Sequence, residues 1–492
     1  MPRRLIPSQS VLPGFLPPRL LPWTFVLFAL PLLLFLALAV PTGEVPDEVA
    51  HMIRMEGLLH RSFVGHRVPS RDLGGNPVAD SGVTANSAML TAGFSFVPGT
   101  PLAQRVMTRE RAAALHNVPW NPKPTFVSIP NTGVYSPLFY LPGAAAMEVA
   151  HGVGAGPWRA VLTARAVNAV LYVALGMVAL LVARRAQGLM FAALVLPMSL
   201  WLAASCNQDG LVIASATLAA ALLTRGTMRG WWTGGLVLAA VVMAKPLYLP
   251  LVGVLALLLP ASALPRHGLA LPLRLGGAVL AAVPALLWFG VAQKYAVVPF
   301  VRGEPFLGGP NWFGDPNQLF GSLDPGLQLQ VLLHKPSLLV TLPFKTLMVD
   351  DWLLHGIVGV LGVLDILLPI WFYRLWFVAI GLLCVGEGLA DRREARPGVV
   401  VGLLTVGCVV AAAFALFDGQ YLSWTYTGNA TIEGMQGRYF IPLIPFLGIA
   451  LPFVPVGAAG PLQAALRLPA VVAAAAGMVI IPALVVGIYY LR

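Results

Sequence analysis

The sequence predicts an all-α polytopic membrane protein with about 11 transmembrane helices and two long extracytoplasmic loops. Three observations predict it. Apolar residues make up 58% of the 492 and charged residues 10%, against about 45–50% and about 25% in soluble domains. The apolar residues gather in runs near the roughly 20 residues that cross a bilayer. Lys and Arg stand at the ends of those runs, where they set orientation. A soluble enzyme and a bacterial-type β-barrel are thereby excluded. The formal charge of +11 follows topology, so the expected partner is the lipid bilayer and no nucleic acid. Cys206, Cys384 and Cys408 are too scattered for a disulfide framework or a metal site.

The first element is a span from about Leu21 to Val40. It is longer than the usual signal-peptide core of about 7–15 residues and reads as a retained helix. Arg3, Arg4 and Arg19 place the N-terminus, about residues 1–20, in the cytoplasm. A polar segment of about 41–157 follows outside, and a second span from about Trp158 returns at Arg184 and Arg185. The next basic cluster, Arg225 and Arg229, is also inside, so the chain between crosses twice and turns outside near Asn207 and Asp209. The same parity splits the run from Trp231 to Leu264, because Arg266 and Arg274 are inside too. The break falls at Lys245-Pro246, where proline removes a helix donor and makes Lys245 an outward-facing tip. A seventh span, about Leu271 to Val298, leads to an outer segment of about 299–368, in which Leu353 to Leu368 reads as an interfacial helix. An eighth span comes in at Arg392, Arg393 and Arg396; a ninth ends at Phe417. Residues 418–437 lie outside, a tenth span runs from Arg438 to about Val456, and 457–492 carry the eleventh.

Chemistry is expected where polar residues meet the outer ends of spans. Asp47, Glu48, His51 and Arg54 follow the first span at spacings that share a helix face. Acids after a proline are also ordinary helix starts, but two carboxylates, an imidazole and a guanidinium there suit acid–base work or anion or metal binding. Tyr135 and Tyr140 precede the second span, either as interfacial belt residues or as the lining of a headgroup pocket. Asp209 reads as a helix cap or a ligand contact, with Asn207 in the turn. Lys245 lies between two short apolar halves and needs an anion. Gln436, Gly437 and Arg438 open the tenth span; Arg438 reads as a snorkelling arginine or a bidentate phosphate contact. Asp350 and Asp351 are a reserve pair of outer acids.

Read in order, these segments are Pro46-Asp47-Glu48 with His51 and Arg54, Tyr135-x-Pro137-Leu138-x-Tyr140-x-Pro142, Asn207-x-Asp209, Lys245-Pro246-x-Tyr248 and Gln436-Gly437-Arg438-Tyr439-Phe440-x-Pro442. From about residue 20 to 456 they resemble a bacterial multi-spanning membrane family, and through it a branch of the GT-C superfamily of polyprenyl-phosphate-sugar-dependent glycosyltransferases. The resemblance implies a transmembrane catalytic module over 21–456 in the bacterial inner membrane, with its site on the periplasmic face. It implies a catalytic acid just beyond the first span, which Asp47 matches, with Glu48 beside it. Lys245 and Arg438 match the basic residues that hold a lipid phosphate, with Tyr248 and Gln436 in the same motifs. A divalent cation is a candidate cofactor, and His51 either ligates it with Glu48 or orients Asp47. The second acidic motif common in the superfamily has only Asp350-Asp351 to represent it here. The implied activity moves a sugar to an extracytoplasmic acceptor, in a glycan, lipid or protein, with inversion. A polymerase or ligase using diphosphate-linked glycans, and a non-enzymatic lipid-glycan flippase, are the rival classes.

Overall fold

Long apolar helices bury one side against each other and leave the other apolar, as a lipid-facing bundle requires. The computed structural model describes residues 20–71, 75, 77–260, 270–301, 303–391, 398–451, 454–456 and 459–491. Arg3, Arg4, Arg19, Arg266, Arg392, Arg393 and Arg396, which orient the expected topology, lie outside the described residues.

Helix α1 (Leu21–Ala39) packs along α6 (Pro157–Val182). Between them lies the segment expected outside, which holds α2 (Glu48–Leu59), α3 (Ala88–Gly93), α4 (Arg109–His116) and α5 (Leu141–Gly152). It also holds an antiparallel sheet of β1 (His66–Arg71), β2 (Pro77–Ala85) and β3 (Thr125–Ser128), in the order β1-β2-β3. The protein is therefore not all-α. The sheet forms because β2 and β3 bring Val83 and Val127, both buried, into register and face α2 with them.

After α6 the chain makes α7 (Gln187–Val195) and α8 (Pro197–Ala203), then α9 (Asp209–Leu223) and α10 (Met228–Ala244). Pro197 separates α7 from α8 by holding Leu196 extended. A 3₁₀ stretch, Pro246–Val252, leads to α11 (Gly253–Leu257), and α12 (Ala270–Tyr295) follows. The second long segment carries α13 (Pro325–His334), α14 (Leu338–Val349) and α15 (Trp352–Val358). The chain closes with α16 (Ile370–Gly388), α17 (Val399–Trp424), a 3₁₀ stretch Gly437–Leu443, α18 (Ile444–Ala450) and α19 (Ala459–Tyr489).

Among the described residues six helices are long and apolar enough to cross a membrane: α1, α6, α12, α16, α17 and α19. The other five expected crossings fall on shorter or broken helices, in α7–α8, α9, α10, 246–257 and 437–450. The ninth expected span ends later than the sequence suggested, at Trp424. The expected interfacial helix over Leu353 to Leu368 is also shorter. It stops at Val358, and a tight hairpin pairs Val360–Leu361 with Ile366–Leu367. Gly359 at φ 157°, Gly362 at φ 63° and Leu364 at φ 74° supply backbone that a helix cannot use.

Candidate functional site

Asp47 follows α1, Asp209 opens α9, Lys245 closes α10 and Arg438 opens the 437–450 stretch. The four tips meet in one cluster. Asp47 Oδ2 accepts from Arg438 Nη2 at 2.6 Å, Lys245 Nζ lies 2.5 Å from Asp209 Oδ1, and Arg438 Nε lies 3.8 Å from Asp209 Oδ2. The ring of Tyr439 lies under both cations, with Lys245 Nζ at 4.8 Å and the Arg438 guanidinium carbon at 5.3 Å from its centre. Tyr248 Oη donates to the Tyr439 carbonyl at 2.8 Å and fixes that ring's backbone.

Each residue is held by local structure. Asp47 is the residue before α2 and has left-handed backbone, φ 60° and ψ 6°, a conformation that aspartate adopts more readily than most residues. Asn207 Nδ2 donates to the Pro46 carbonyl at 3.1 Å, and Asn207 Oδ1 accepts from the Asp209 amide at 2.9 Å. Asn207, not Asp209, is thus the side chain that caps the start of α9. The side chain of Asp47 is 39% exposed, against 2% for Arg438 and 8% for Asp209. Burial pushes the Asp47 carboxyl up, but attraction to Arg438 and its hydrogen bond outweigh that and hold the carboxyl below its ordinary range. Asp47 lines a cavity of about 650 Å³ between α2, the sheet and residues 298–301.

His51 is buried one turn into α2, where its Nδ1 is 2.7 Å from Tyr140 Oη and its ring stacks on Tyr135. Burial lowers its pKa to about 4, against the pull of Asp209 and Asp47, so the imidazole is neutral at pH 7. Arg54 does not face Asp47. It donates to the carbonyls of Ser62 at 2.8 Å, Phe63 at 2.8 Å and Tyr135 at 3.0 Å, tying the end of α2 to the tyrosine segment.

Glu48 departs from the expectation most. It does not sit beside Asp47 on a shared face; it points into the bundle and meets Arg165 of α6, with Oε2 to Nη2 at 2.5 Å and Oε1 to Nε at 2.7 Å. Both side chains are fully buried. The amides of Gly43 and Cys206 donate to the same carboxylate, each at 3.1 Å, and Arg165 also donates to the carbonyls of Val40 and Pro41. The physical reason is the break at Asp47: with left-handed backbone before it, helical spacing starts at Glu48 and does not extend back to Asp47. Lys245 stands at a helix tip with its side chain turned onto Asp209 and only 11% exposed. Gln436 lies just before the 437–450 stretch, and its Oε1 is buried without a hydrogen-bond partner among the described residues.

The metal expectation finds no support in this arrangement. Glu48 is taken by Arg165 and His51 by Tyr140, and among the described residues no group of three or more His, Cys, Asp or Glu is placed to hold an ion. Asp350 and Asp351 belong to a separate small cavity with Trp352 and Thr431; Asp350 Oδ1 accepts from the amides of Trp352 and Leu353 and starts α15.

Three supports went unread in the sequence. Arg165 was legible in principle, because a guanidinium in mid-span must find a partner. The fully buried Gln208, beside Asp209, has no hydrogen-bond partner on either amide atom among the described residues. Glu44 accepts from Tyr489 Oη at 2.8 Å and Arg105 Nη1 at 3.0 Å, and Arg105 also meets Asp365 at 2.7 Å, which ties the last helix to the turn before Asp47.

The fold and site define an integral membrane protein with a buried, charge-balanced cluster at one end of its helices. By sequence it belongs to a family of predicted membrane proteins, DUF2142, whose model matches residues 30–447. No curated protein matches the chain, and no solved structure does.

Proposed function

We propose that the protein is a membrane glycosyltransferase that moves a sugar from a polyprenyl-phosphate donor to an extracytoplasmic acceptor hydroxyl, with inversion. In this reading it works in a bacterial inner membrane with the site on the periplasmic face. The observation that carries the reading is the junction at Asp47. One partly exposed carboxylate lines a 650 Å³ cavity and touches a buried guanidinium, Arg438, with the ammonium of Lys245 close behind.

The chemistry needs one base and an anion site. Asp47 takes the proton of the acceptor hydroxyl as that oxygen bonds to the anomeric carbon, and the bond from that carbon to the phosphate oxygen breaks. The leaving polyprenyl phosphate carries the electron pair as an anion and requires no general acid. Arg438 and Lys245 stabilise the charge growing on it, a preorganised contact worth about 3 kcal/mol in a site of this kind. Neutral His51, held by Tyr140, positions the wall beside Asp47 without competing for the proton. Glu48 has a supporting role here and the base is Asp47 alone.

The test is a transfer assay in membranes with radiolabelled polyprenyl-phosphate sugars, comparing the wild type with Asp47→Asn at equal abundance. Label leaves the donor in the wild type and not in the variant. Equal transfer by both, or transfer only from diphosphate-linked glycans, would remove Asp47 as the base and favour a polymerase.

A further inference from the structure

Arg438 is already occupied in the resting site. Its Nη2 donates to Asp47 Oδ2 at 2.6 Å, and its Nη1 reaches the Pro46 carbonyl at 3.4 Å. Arg438 is 2% exposed and Asp47 39%, so the guanidinium is fixed by packing while solvent reaches the carboxylate. The backbone on both sides of Asp47 is also fixed, by Asn207 on the Pro46 carbonyl and by Arg165 on Glu48. The movable part is the Asp47 side chain, and the space open to it is the 650 Å³ cavity.

Charge counting points the same way. Asp47 and Asp209 balance Lys245 and Arg438, and His51 is neutral. A phosphate entering this cluster makes it net negative in a poorly hydrated place, unless one carboxylate gives way. Asp209 is 8% exposed and lies 2.5 Å from Lys245. Asp47 is the acid that water can receive.

Resting on the glycosyltransferase reading, we propose that the donor's phosphate displaces the Asp47 carboxylate from Arg438, so that donor binding itself frees the catalytic base and turns it toward the cavity. The Asp47–Arg438 bond is a resting lock. No covalent bond changes in this step: the guanidinium exchanges one anion for another. A carboxylate released from that guanidinium is also the stronger proton acceptor, because Arg438 is the main attraction holding it acidic. Acid–base chemistry is thus kept idle until the leaving group is in place.

The experiment is equilibrium binding of polyprenyl monophosphate, without sugar, to the full-length protein in nanodiscs at neutral pH. Wild type, Asp47→Asn, Arg438→Gln and the double variant are compared, each checked for folding by thermal unfolding, with Arg438→Lys replacing Arg438→Gln if the latter does not fold. Asp47→Asn binds about fivefold more tightly than wild type, the upper end for removing a partly exposed ion-pair competitor. In the Arg438→Gln background that gain disappears. Unchanged or weaker binding by Asp47→Asn, with binding still dependent on Arg438, overturns the lock and leaves the donor site standing. A gain that persists in the double variant overturns it as well, by assigning the effect to general charge. Binding indifferent to Arg438 removes the donor-site reading itself, and the lock with it.

Discussion

Glu48→Gln separates a supporting acid from a catalytic one. In the structure Glu48 and Arg165 meet through two contacts of 2.5 and 2.7 Å with both side chains fully buried. Removing one charge of such a pair leaves the other uncompensated, which costs about 3–5 kcal/mol in protein interiors. Glutamine keeps a carbonyl oxygen that can still accept from Gly43 or Cys206, and Arg165 keeps its bonds to the carbonyls of Val40 and Pro41. The low end, about 3 kcal/mol, is therefore expected, about a hundredfold in the unfolding equilibrium. The assay is detergent-induced unfolding of the purified protein, run as a cycle with Arg165→Met and the double variant. The double variant recovers most of the stability lost by either single change, because no buried charge is left unpaired. Transfer activity measured on the folded fraction of Glu48→Gln stays within a few-fold of wild type. A Glu48→Gln protein that unfolds like the wild type but transfers no sugar would refute the reasoning and make Glu48 a reacting group.

Two further outcomes follow from the charges around Asp47. Lys245→Met leaves Asp209 buried with Arg438 Nε, 3.8 Å away, as its remaining ion-pair partner among the described residues, so it destabilises by about 3 kcal/mol in the same assay, and adding Asp209→Asn restores stability. A double variant no more stable than Lys245→Met would deny that the pair is coupled. His51 is held neutral down to about pH 4, while an unfolded histidine protonates near 6.5. Between those values the unfolded state binds the extra proton, so folding stability falls as pH falls from about 6.5 to about 4, by about 3 kcal/mol in total for this group. Glu44 and Glu56, whose carboxyls burial raises, oppose that trend. The contribution is therefore read as the difference between wild type and His51→Asn over the window; parallel pH curves for the two proteins would contradict it.

How much of this was legible depended on distance along the chain. The ends of the long apolar runs are legible from composition, and charge parity put Asp47, Asp209, Lys245 and Arg438 at span ends on one expected face. These are sums over many residues and survive local error. The pairing within the cluster does not follow from them. Asp47 and Arg438 are 391 residues apart, and Glu48 and Arg165 are 117 apart, so no periodicity links them. Helical spacing misassigned Glu48 because it assumed regular backbone through Asp47, where the chain is left-handed, and Arg54 because six residues on from Glu48 is about 120° round the helix. The sheet was missed for a related reason. Its strands lie in a segment rich in Pro, Gly and Ser that reads as loop, and Val83 and Val127 reveal their value only when paired.

Helix length gives the cluster its setting. Helix α6 has 26 residues and rises about 39 Å, while α9 has 15 and rises about 22 Å. A hydrocarbon core is about 30 Å thick, so α9 stops about 8 Å short of crossing it and α10, with 17 residues, stops about 4 Å short. Asp209 at the start of α9 and Lys245 at the end of α10 are therefore carried by helices too short for a full crossing. Ordinary short spans would bring lipid or water onto those charges. Here those charges meet Arg438, which also holds Asp47, and the ring of Tyr439. Under the proposed function, the ligand has an anionic group at Arg438 and Lys245, an apolar chain in the lipid, and a reacting atom that faces the cavity beside Asp47. A phosphate joined on one side to a lipid and on the other to a sugar has those three parts in that order. A free nucleotide-sugar lacks the apolar chain, and a simple lipid lacks a reacting group on the cavity side. In that reading the short helices constrain the substrate together with the charged residues they carry.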